Sequence, residues 1–219
     1  MERNISEDNG AYCNCAIDYH EIIECIASAL DAKDSYTAGH SQRVSDMSMK
    51  VCELIGLKQE DTEKIHIAAH LHDIGKIGIP DAVLNKQSKL NDEEWETMKK
   101  HPQIGAQILS KSHHLNELKG IVLHHHERYD GKGYPDGLKG EKIPLGSRVI
   151  AICDSIDAMS SSRSYRKAHD LQYCYDEIEK NKGIMYDPII AEYVLLHWKE
   201  ITKVISATNR RKGAREDLL

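Results

Sequence analysis

Helical periodicity without any strand pattern is the feature that most constrains this chain. Apolar residues recur every three or four positions along most of it, and no segment shows the sustained alternation of a half-buried β-strand. The core must be built from Leu, Ile, Val, Met and Ala, because phenylalanine is absent. The fold class that we predict is all-α, as a single compact helical bundle. Helices are predicted near Tyr19–Leu30, Val44–Gly56, Asp61–Leu71, Asn91–Met98, after Pro102, Leu115 to about His126, Ser147 to about Ser160, Leu171–Lys180 and Ile189 to about Ile201.

The organisation of the chain is predicted to be one domain with two short ends. A length of 219 residues suits one domain. We expect residues 1–18 to be a flexible N-terminus and residues 206–219 to be a charged, solvated tail. Residues 19–205 would then form the domain. Its two long loops are Gly75–Asn91 and Arg128–Gly146. Loops of this length in a compact helical domain are usually functional or disordered, and their position beside clusters of histidine favours a function.

Charge and hydropathy exclude two classes of partner. The net charge of −6 has the wrong sign for a protein that wraps DNA by its phosphates, so we expect no DNA binding. No apolar run approaches the roughly 18 residues that cross a bilayer, and the first ten residues are polar. We expect no membrane insertion and a cytoplasmic location.

Histidine is the anomaly of the composition, with 13 residues. Some of these histidines, together with two aspartates, recur at intervals of 24 to 32 residues, which is about one helix and its connection. If successive helices pack antiparallel, such residues can face one cavity. Imidazole and carboxylate ligands suit Fe, Mn, Zn, Co or Ni. The candidate ligands are His40, His72, Asp73, His101, His125, His126 and Asp154.

The count of seven ligands indicates more than one ion. It exceeds the needs of a tetrahedral ion but suits two ions about 3.5–4 Å apart. Asp73 is the natural bridge, because a carboxylate offers two oxygens and an imidazole only one free nitrogen. Adjacent His72 and Asp73 point about 100° apart on a helix, so both reach one metal only where the helix ends, and Gly75 predicts that end.

The other histidines are interpreted as ordinary surface or hydrogen-bonded core residues. His66 and His70 have the spacing of a zinc-protease motif, but Ile67 stands where that motif requires Glu, which disfavours a metalloprotease. The histidines interpreted in this way are His20, His66, His70, His113, His114, His124, His169 and His197.

Five strings around the candidate ligands are distinctive: HSQRV (40–44), LHDIGKIGIPD (71–81), KKHPQIGAQIL (99–109), HHERYDGKGYPDGLKGEKIPLGSRVIAICDSIDAM (125–159) and SRSYR (162–166). Together they resemble the HD-GYP domain, the bacterial branch of HD phosphohydrolases that hydrolyses cyclic di-GMP. The resemblance covers roughly residues 22–201, and the HDIGK and HHE-x-x-DG-x-GYP strings are its most specific parts.

The resemblance implies a division of the ligands between two ions. One ion would be held by His40, His72, Asp73 and Asp154. The second would be held by Asp73, His101, His125 and His126. Some members carry a Glu four residues before the first histidine that adds a ligand for a third ion, but here that position is Tyr36. We therefore expect two divalent ions, Fe or Mn ahead of Zn, Ni or Co.

The resemblance also implies roles beyond the metal ligands. Lys76, Arg163 and Arg166 would bind the substrate phosphates, with Lys76 and Asp73 as the catalytic residues. The plain alternative for the two arginines is a solvated helix end. Tyr134 would shape the loop, and Glu127 would orient a ligand imidazole unless it forms an exposed ion pair.

The function predicted by this resemblance is a metal-dependent phosphodiesterase. It would hydrolyse cyclic di-GMP to pGpG and/or GMP by attack of a metal-bridging hydroxide. Two alternatives stay open: an HD phosphohydrolase acting on another nucleotide, such as a cyclic GMP-AMP dinucleotide or a guanosine polyphosphate, and a non-catalytic scaffold that contacts diguanylate cyclases through the GYP loop. The amphipathic first helix could pack on its own core or on a second copy in a homodimer.

Overall fold

The computed structural model describes residues 19–34, 39–161 and 167–205. Ten α-helices have defined bounds in that part of the chain, and a further helical stretch covers residues 198–205. The described residues include no strand, only an isolated bridge between Lys182 and Tyr186. The all-α prediction is therefore confirmed. The helices are α1 (Tyr19–Lys33), α2 (His40–Leu54), α3 (Gln59–Leu71), α4 (Asp81–Leu84), α5 (Asp92–Met98), α6 (His101–Leu109), α7 (Lys119–Leu123), α8 (Leu145–Ser160), α9 (Leu171–Lys180) and α10 (Pro188–Leu196).

The core lies where α2 packs against α3 and α8. Val44 and Met47 of α2, Ala68 of α3, and Val149 and Ile152 of α8 are completely buried. Small residues on α3 allow the neighbouring helices to approach it closely. Helix α1 covers α2 and α3 from one side, while α6 packs on α7 and on a 3₁₀ turn at Ile74–Gly78.

Local sequence signals account for several helix boundaries. Asn91 accepts from the backbone N–H of Glu94 at 2.8 Å, and the Glu94 carboxylate accepts from the N–H of Asn91 at 2.8 Å, so α5 begins with a complete capping box. Asp170 caps α9 in a similar way through the N–H of Tyr173. Gly56, with φ of 75°, ends the turn after α2 in the left-handed region.

Four predicted segments differ from the structure. Helix α2 begins at His40 rather than near Val44. The segment predicted as a loop after Gly75 contains two helical elements, since the 3₁₀ turn continues to Gly78 and α4 follows it. The helix predicted from Leu115 to about His126 is a 3₁₀ turn at Leu115–Leu118 followed by α7, which ends at Leu123. The last predicted helix is interrupted by a turn at His197. No helix in the described ranges is both long and apolar enough to cross a membrane. The predicted flexible N-terminus and charged tail lie outside those ranges.

Gly75 allows the closest approach between two backbone segments at the centre of the molecule. A Cβ at this position would lie 1.8 Å from the carbonyl oxygen of His101 and 2.5 Å from the backbone nitrogen of Gly105. The 3₁₀ turn therefore lies directly on the first turns of α6. Since His101 is a predicted ligand, this contact fixes its distance from His72 and Asp73.

We predict that Gly75→Ala destabilises the protein by about 1–3 kcal/mol or more, because the added methyl must push α6 away. Urea unfolding followed by circular dichroism measures this change. The matched control is Gly120→Ala in α7, where an added Cβ meets no atom within 4 Å. That change should be neutral or stabilising by up to about 1 kcal/mol. Equal stability of the two variants would contradict the assignment of Gly75 as a contact glycine.

Candidate metal centre

The seven predicted ligands come from separate helices and converge on one place. His72 and Asp73 directly follow α3, where the α-helix gives way to the 3₁₀ turn. His101 begins α6, and His125 and His126 follow the end of α7. The remaining two lie at the start of α2 and in the middle of α8; they are His40 and Asp154.

One group of ligands surrounds the Nε2 atom of His40. This atom lies 3.3 Å from Nε2 of His72, 3.4 Å from Oδ1 of Asp154 and 3.8 Å from Oδ2 of Asp73. Oδ2 of Asp73 is also 3.4 Å from Nε2 of His72. Two nitrogens bound to one tetrahedral ion at about 2.0–2.1 Å lie about 3.3 Å apart. The spacing therefore fits ligands of a common cation.

A second group faces the other oxygen of Asp73. Oδ1 lies 3.3 Å from Nε2 of His101, and that nitrogen is 3.3 Å from Nε2 of His125. His126 packs edge-on against His101, with ring centroids 5.0 Å apart. One ligand atom from each of these four residues lies within 4.8 Å of the others. Asp73 thus directs one oxygen to each group, which is the arrangement that a bridging carboxylate requires.

Outer hydrogen bonds fix which nitrogen of each imidazole carries the proton. Nδ1 of His72 donates to the carbonyl of Ala69 at 2.7 Å, and Nδ1 of His125 donates to that of Val122 at 2.6 Å. Nδ1 of His101 donates to the carbonyl of the residue three positions earlier at 2.8 Å. A carbonyl oxygen only accepts, so Nδ1 is protonated in each ring, and in the neutral imidazole Nε2 carries a free lone pair.

These lone pairs are the strongest sign that the centre suits a metal. The deprotonated Nε2 atoms of His101 and His125 face each other and cannot form a hydrogen bond, whereas a cation between them binds both. The accepting carbonyls belong to the last turns of α3, α5 and α7, whose negative dipole ends also favour positive charge. The donor set therefore fits a cation.

His40 is oriented by a charged network instead of a carbonyl. Its Nδ1 lies 2.7 Å from Oδ2 of Asp157, which is buried. Arg43 binds the same carboxylate through Nε at 2.5 Å and through its terminal nitrogen at 3.0 Å. Burial raises the pKa of Asp157, but His40 and Arg43 outweigh that effect and hold the pKa below its ordinary value. Sequence reasoning did not identify Arg43 or Asp157, although each is one helical turn from a ligand.

Burial keeps most of the imidazoles neutral. It lowers the pKa of His126 to about 3 and that of His125 well below the ordinary value. His72 differs: burial lowers its pKa, but the charges of Asp73 and Asp154 and the hydrogen bonds that the ring makes together outweigh burial and raise it to about 9. The neutral imidazole is the form that binds metals, so the His125 and His126 side is prepared for an ion without losing a proton.

Lys76 neutralises the acids at the edge of the centre. Its Nζ lies 2.7 Å from Oδ2 of Asp73 and 3.0 Å from Oδ2 of Asp34. Burial lowers the pKa of Lys76, but the two carboxylates outweigh burial and raise the pKa above its ordinary value. The ammonium is therefore permanently charged and stands beside the candidate ligands.

A cavity of about 840 Å³ opens over the centre. Its volume is in the range of small-molecule sites. Candidate ligands from both groups form part of its wall, and the segment from α4 to α5 forms another part, with three lysines among the lining residues. The lining residues used below are Lys76, Trp95, His126 and Tyr134.

The GYP segment contributes an aromatic wall to this cavity. Tyr134 stacks on His126 with ring centroids 4.9 Å apart, and Trp95 approaches Tyr134 edge-on at 6.2 Å. Glu127 is buried and accepts from the backbone N–H of Asp136 at 2.8 Å, so it holds the loop and does not form an exposed ion pair. No ligand imidazole is a hydrogen-bond partner of Glu127 among the described contacts. Trp95 was predicted only as a helix residue, because its place in the cavity depends on the loop that precedes α5.

Arg163, Arg166 and Tyr36 lie outside the described residues. Their predicted roles stay predictions. Three other histidines that sequence reasoning assigned to the surface or core cluster on the far side of α3; they are His20, His66 and His70.

Comparison with known proteins supports the motif resemblance. A family model described as HD domain matches residues 24–190. A cyclic di-GMP phosphodiesterase of Thermotoga maritima is 42% identical over 186 residues, which cover 84% of this chain and 50% of that protein. The cyclic di-GMP phosphodiesterase response regulator RpfG of Xanthomonas campestris is 41% identical over 177 residues, which cover 80% of this chain and 47% of that protein. A 3'3'-cGAMP-specific phosphodiesterase 2 of Vibrio cholerae is 36% identical over 186 residues, which cover 84% of this chain and 36% of that protein.

Solved structures support the fold. The structure of a cyclic GMP-AMP specific phosphodiesterase of V. cholerae superposes with a TM-score of 0.65 at 19% identity, over 86% of this chain and 50% of that one. The HD domain of the L. monocytogenes phosphodiesterase PgpH, in complex with cyclic-di-AMP, superposes with a TM-score of 0.55 at 19% identity. The superposition covers 80% of this chain and 97% of that one.

The extent of these matches determines what they establish. The chain spans half or less of the length of the curated relatives described above. The matching family model nevertheless covers most of the chain, and the T. maritima and X. campestris relatives align with about four-fifths of it. The chain belongs to the HD domain family, and its motifs and relatives assign it to the HD-GYP branch.

Proposed function

We propose that this protein is a metal-dependent phosphodiesterase that hydrolyses cyclic di-GMP to pGpG and/or GMP. The observation that carries the proposal is the position of Asp73, whose two oxygens face two histidine groups beneath a cavity large enough for a small-molecule substrate. Two relatives at 41–42% identity are named as cyclic di-GMP phosphodiesterases. We expect two divalent ions, Fe or Mn ahead of Zn, Ni or Co, with Tyr36 in place of a third-ion carboxylate.

The proposed division of labour follows the geometry. His40, His72, Asp73 and Asp154 would hold one ion, and Asp73, His101, His125 and His126 the other. Bound divalent ions lower the pKa of coordinated water and neutralise charge on a phosphate. The protein's own part is to hold the imidazoles with Nε2 bare, to exclude bulk water from the deeply buried side, and to keep the bridging carboxylate ionised.

Substrate binding is proposed to use the positive and aromatic walls of the cavity. Lys76 brings a permanent charge to within 2.7 Å of the bridging carboxylate, where a substrate phosphate would approach the ions. Arg163 and Arg166 are proposed to bind phosphate as well. Trp95 is 46% exposed although it lines the cavity, which leaves its ring available for stacking on a base.

Base selectivity is the part of the proposal that a nucleotide panel decides. Relatives named for 3'3'-cGAMP are also similar to this chain. Cyclic di-GMP, 3'3'-cGAMP, cyclic di-AMP and a guanosine polyphosphate should be compared by chromatography of the products. The convergence of all seven ligand positions favours an enzyme over a scaffold, while contact with diguanylate cyclases, formation of a homodimer and a cytoplasmic location stay predictions.

Asp73→Asn should abolish turnover, because the amide nitrogen cannot act as the second ligand atom of a bridge. Loss of an outer partner of a metal ligand already costs about 10–100-fold, so we expect more than 100-fold here. The measurement is hydrolysis of cyclic di-GMP by Mn-loaded protein, with circular dichroism to verify the fold. Asp61→Asn, which changes an exposed acid in the preceding helix α3, is the control and should retain the parent rate. Parental turnover by Asp73→Asn would refute the proposed site.

Asp157→Asn should weaken metal binding more than it slows catalysis. The amide can still accept from His40 but carries no charge, so the imidazole becomes a poorer ligand. We expect the Mn²⁺ concentration for half-maximal activity to rise about 10–100-fold, with kcat at saturating Mn²⁺ within a few-fold of the parent. A fall in kcat that added Mn²⁺ does not restore would show that Asp157 does more than orient a ligand.

Trp95→Ala should raise KM for cyclic di-GMP about 5- to 150-fold, which corresponds to the loss of about 1–3 kcal/mol of stacking on one base. Steady-state kinetics separates this effect from kcat, which should change little because Trp95 does not contact the candidate ligands. Trp95→Phe keeps an aromatic face and should restore most of the affinity. An unchanged KM in Trp95→Ala would exclude the stacking role.

A further inference from the structure

A second histidine cluster lies between α1 and α3, apart from the candidate centre. His66 and His70 are one helical turn apart and therefore share a face of α3, while His20 reaches them from the first turn of α1. One nitrogen from each of the three lies within 4.8 Å of the others. His72 follows His70 by two residues, about 200° around the helix, so the cluster and the candidate centre occupy opposite sides of α3.

The tautomer of His66 is fixed in the way that metal-binding histidines require. The hydroxyl of Ser45 donates its proton to the carbonyl of His66 at 2.9 Å. The same hydroxyl must then accept from Nδ1 of His66, at 2.7 Å. Nε2 of His66 therefore carries a lone pair, and it is directed toward His20, whose Nε2 is 2.9 Å away. A buried serine thus orients this imidazole as backbone carbonyls orient those of the candidate centre.

His20 brings the cluster to the protein surface. Its side chain is 39% exposed, and Oε1 of Glu24 lies 3.6 Å from Nδ1. This distance is too long for a hydrogen bond, but the negative charge of Glu24 favours a cation bound at the cluster. The solvent side of His20 also gives an ion a path to the cluster.

His70 is the observation that a hydrogen-bonded pair cannot explain. It is 1% exposed, and neither of its ring nitrogens has a hydrogen-bond partner. A buried polar group without a partner destabilises the folded protein. Its ring lies edge-on to His66, with centroids 4.9 Å apart, and to His20 at 5.4 Å. A cation bound among the three rings would use one of these unpaired nitrogens.

We propose that His20, His66 and His70 form a separate binding site for one divalent transition-metal ion, specifically Zn²⁺. Three imidazoles are a common zinc ligand set, and the fourth position would be open to water on the His20 side. Tetrahedral coordination needs nitrogens about 3.3 Å apart, so the His20–His66 pair opens by a few tenths of an ångström and His70 moves inward. The bound ion joins α1 to α3 and stabilises the first helix on the core.

Zinc counting on the full chain tests this site without any substrate. Protein stripped with a chelator under reducing conditions is equilibrated with Zn²⁺, desalted and analysed for zinc by elemental analysis. His20→Ala and His70→Leu should each bind one Zn²⁺ fewer per chain than the parent. His113→Ala removes an exposed histidine elsewhere and should bind the parental number.

Neither substitution should unfold the protein, so a lower zinc count would report the loss of a ligand. His20 is partly exposed, so its replacement by Ala should preserve the fold, and His70→Leu should leave the metal-free protein at least as stable as the parent, because it removes unpaired buried polar atoms. Zn²⁺ should raise the Tm of Asp73→Asn, and adding His20→Ala to that variant should reduce the rise. Parental zinc counts in both His20→Ala and His70→Leu would refute the site, whether or not the protein proves to be a phosphodiesterase.

Discussion

The carboxylate of Asp73 is the interaction on which the arrangement of the centre depends. One oxygen faces His72 and the other faces His101, so the side chain joins the end of α3 to the start of α6. A carboxylate buried among uncharged groups would protonate, because burial raises its pKa. Here Lys76 and the histidines outweigh that effect and hold the pKa well below its ordinary value. The site is therefore anionic at its midpoint, where cations are needed.

Backbone packing gives this carboxylate its partners. The 3₁₀ turn after Asp73 can lie against α6 only because Gly75 has no side chain. A similar restriction holds in the GYP loop, where a Cβ on Gly133 would lie 2.3 Å from the backbone nitrogen of Arg128. Glu127 then holds the loop through the N–H of Asp136. Both glycines thus set the distance between segments that carry candidate ligands or line the cavity.

The sequence predicted most of the helices and the complete convergence of the candidate ligands, since both are periodic patterns. The predicted end of α7, near His126, was wrong by about three residues. The sequence itself indicates the earlier end. Neighbouring His125 and His126 would point about 100° apart on a continuous helix, so both approach one centre only because the helix stops at Leu123. The same argument located the end of α3, but it was not applied to α7.

The cluster of His20, His66 and His70 could not be found in this way. The sequence shows the four-residue spacing of His66 and His70, but Ile67 stands where a zinc-protease motif requires Glu, so the spacing alone indicates no metal site. What completes the cluster is the packing of α1 on α3, a tertiary contact that no local pattern encodes. Ser45 on α2 likewise reveals its role only when the helices are assembled.

Three candidate ligands also terminate helices. His72, His101 and His125 donate Nδ1 protons to the final carbonyls of α3, α5 and α7, which have no acceptor role left within their own helices. Substituting any of them removes a coordinating atom and also leaves a carbonyl at a helix end without its donor. Such a variant would lose activity and stability at the same time. Asp154 lies within the continuous helix α8, so its side chain does not cap a helix end. It is the position at which coordination chemistry can be altered with the architecture left intact.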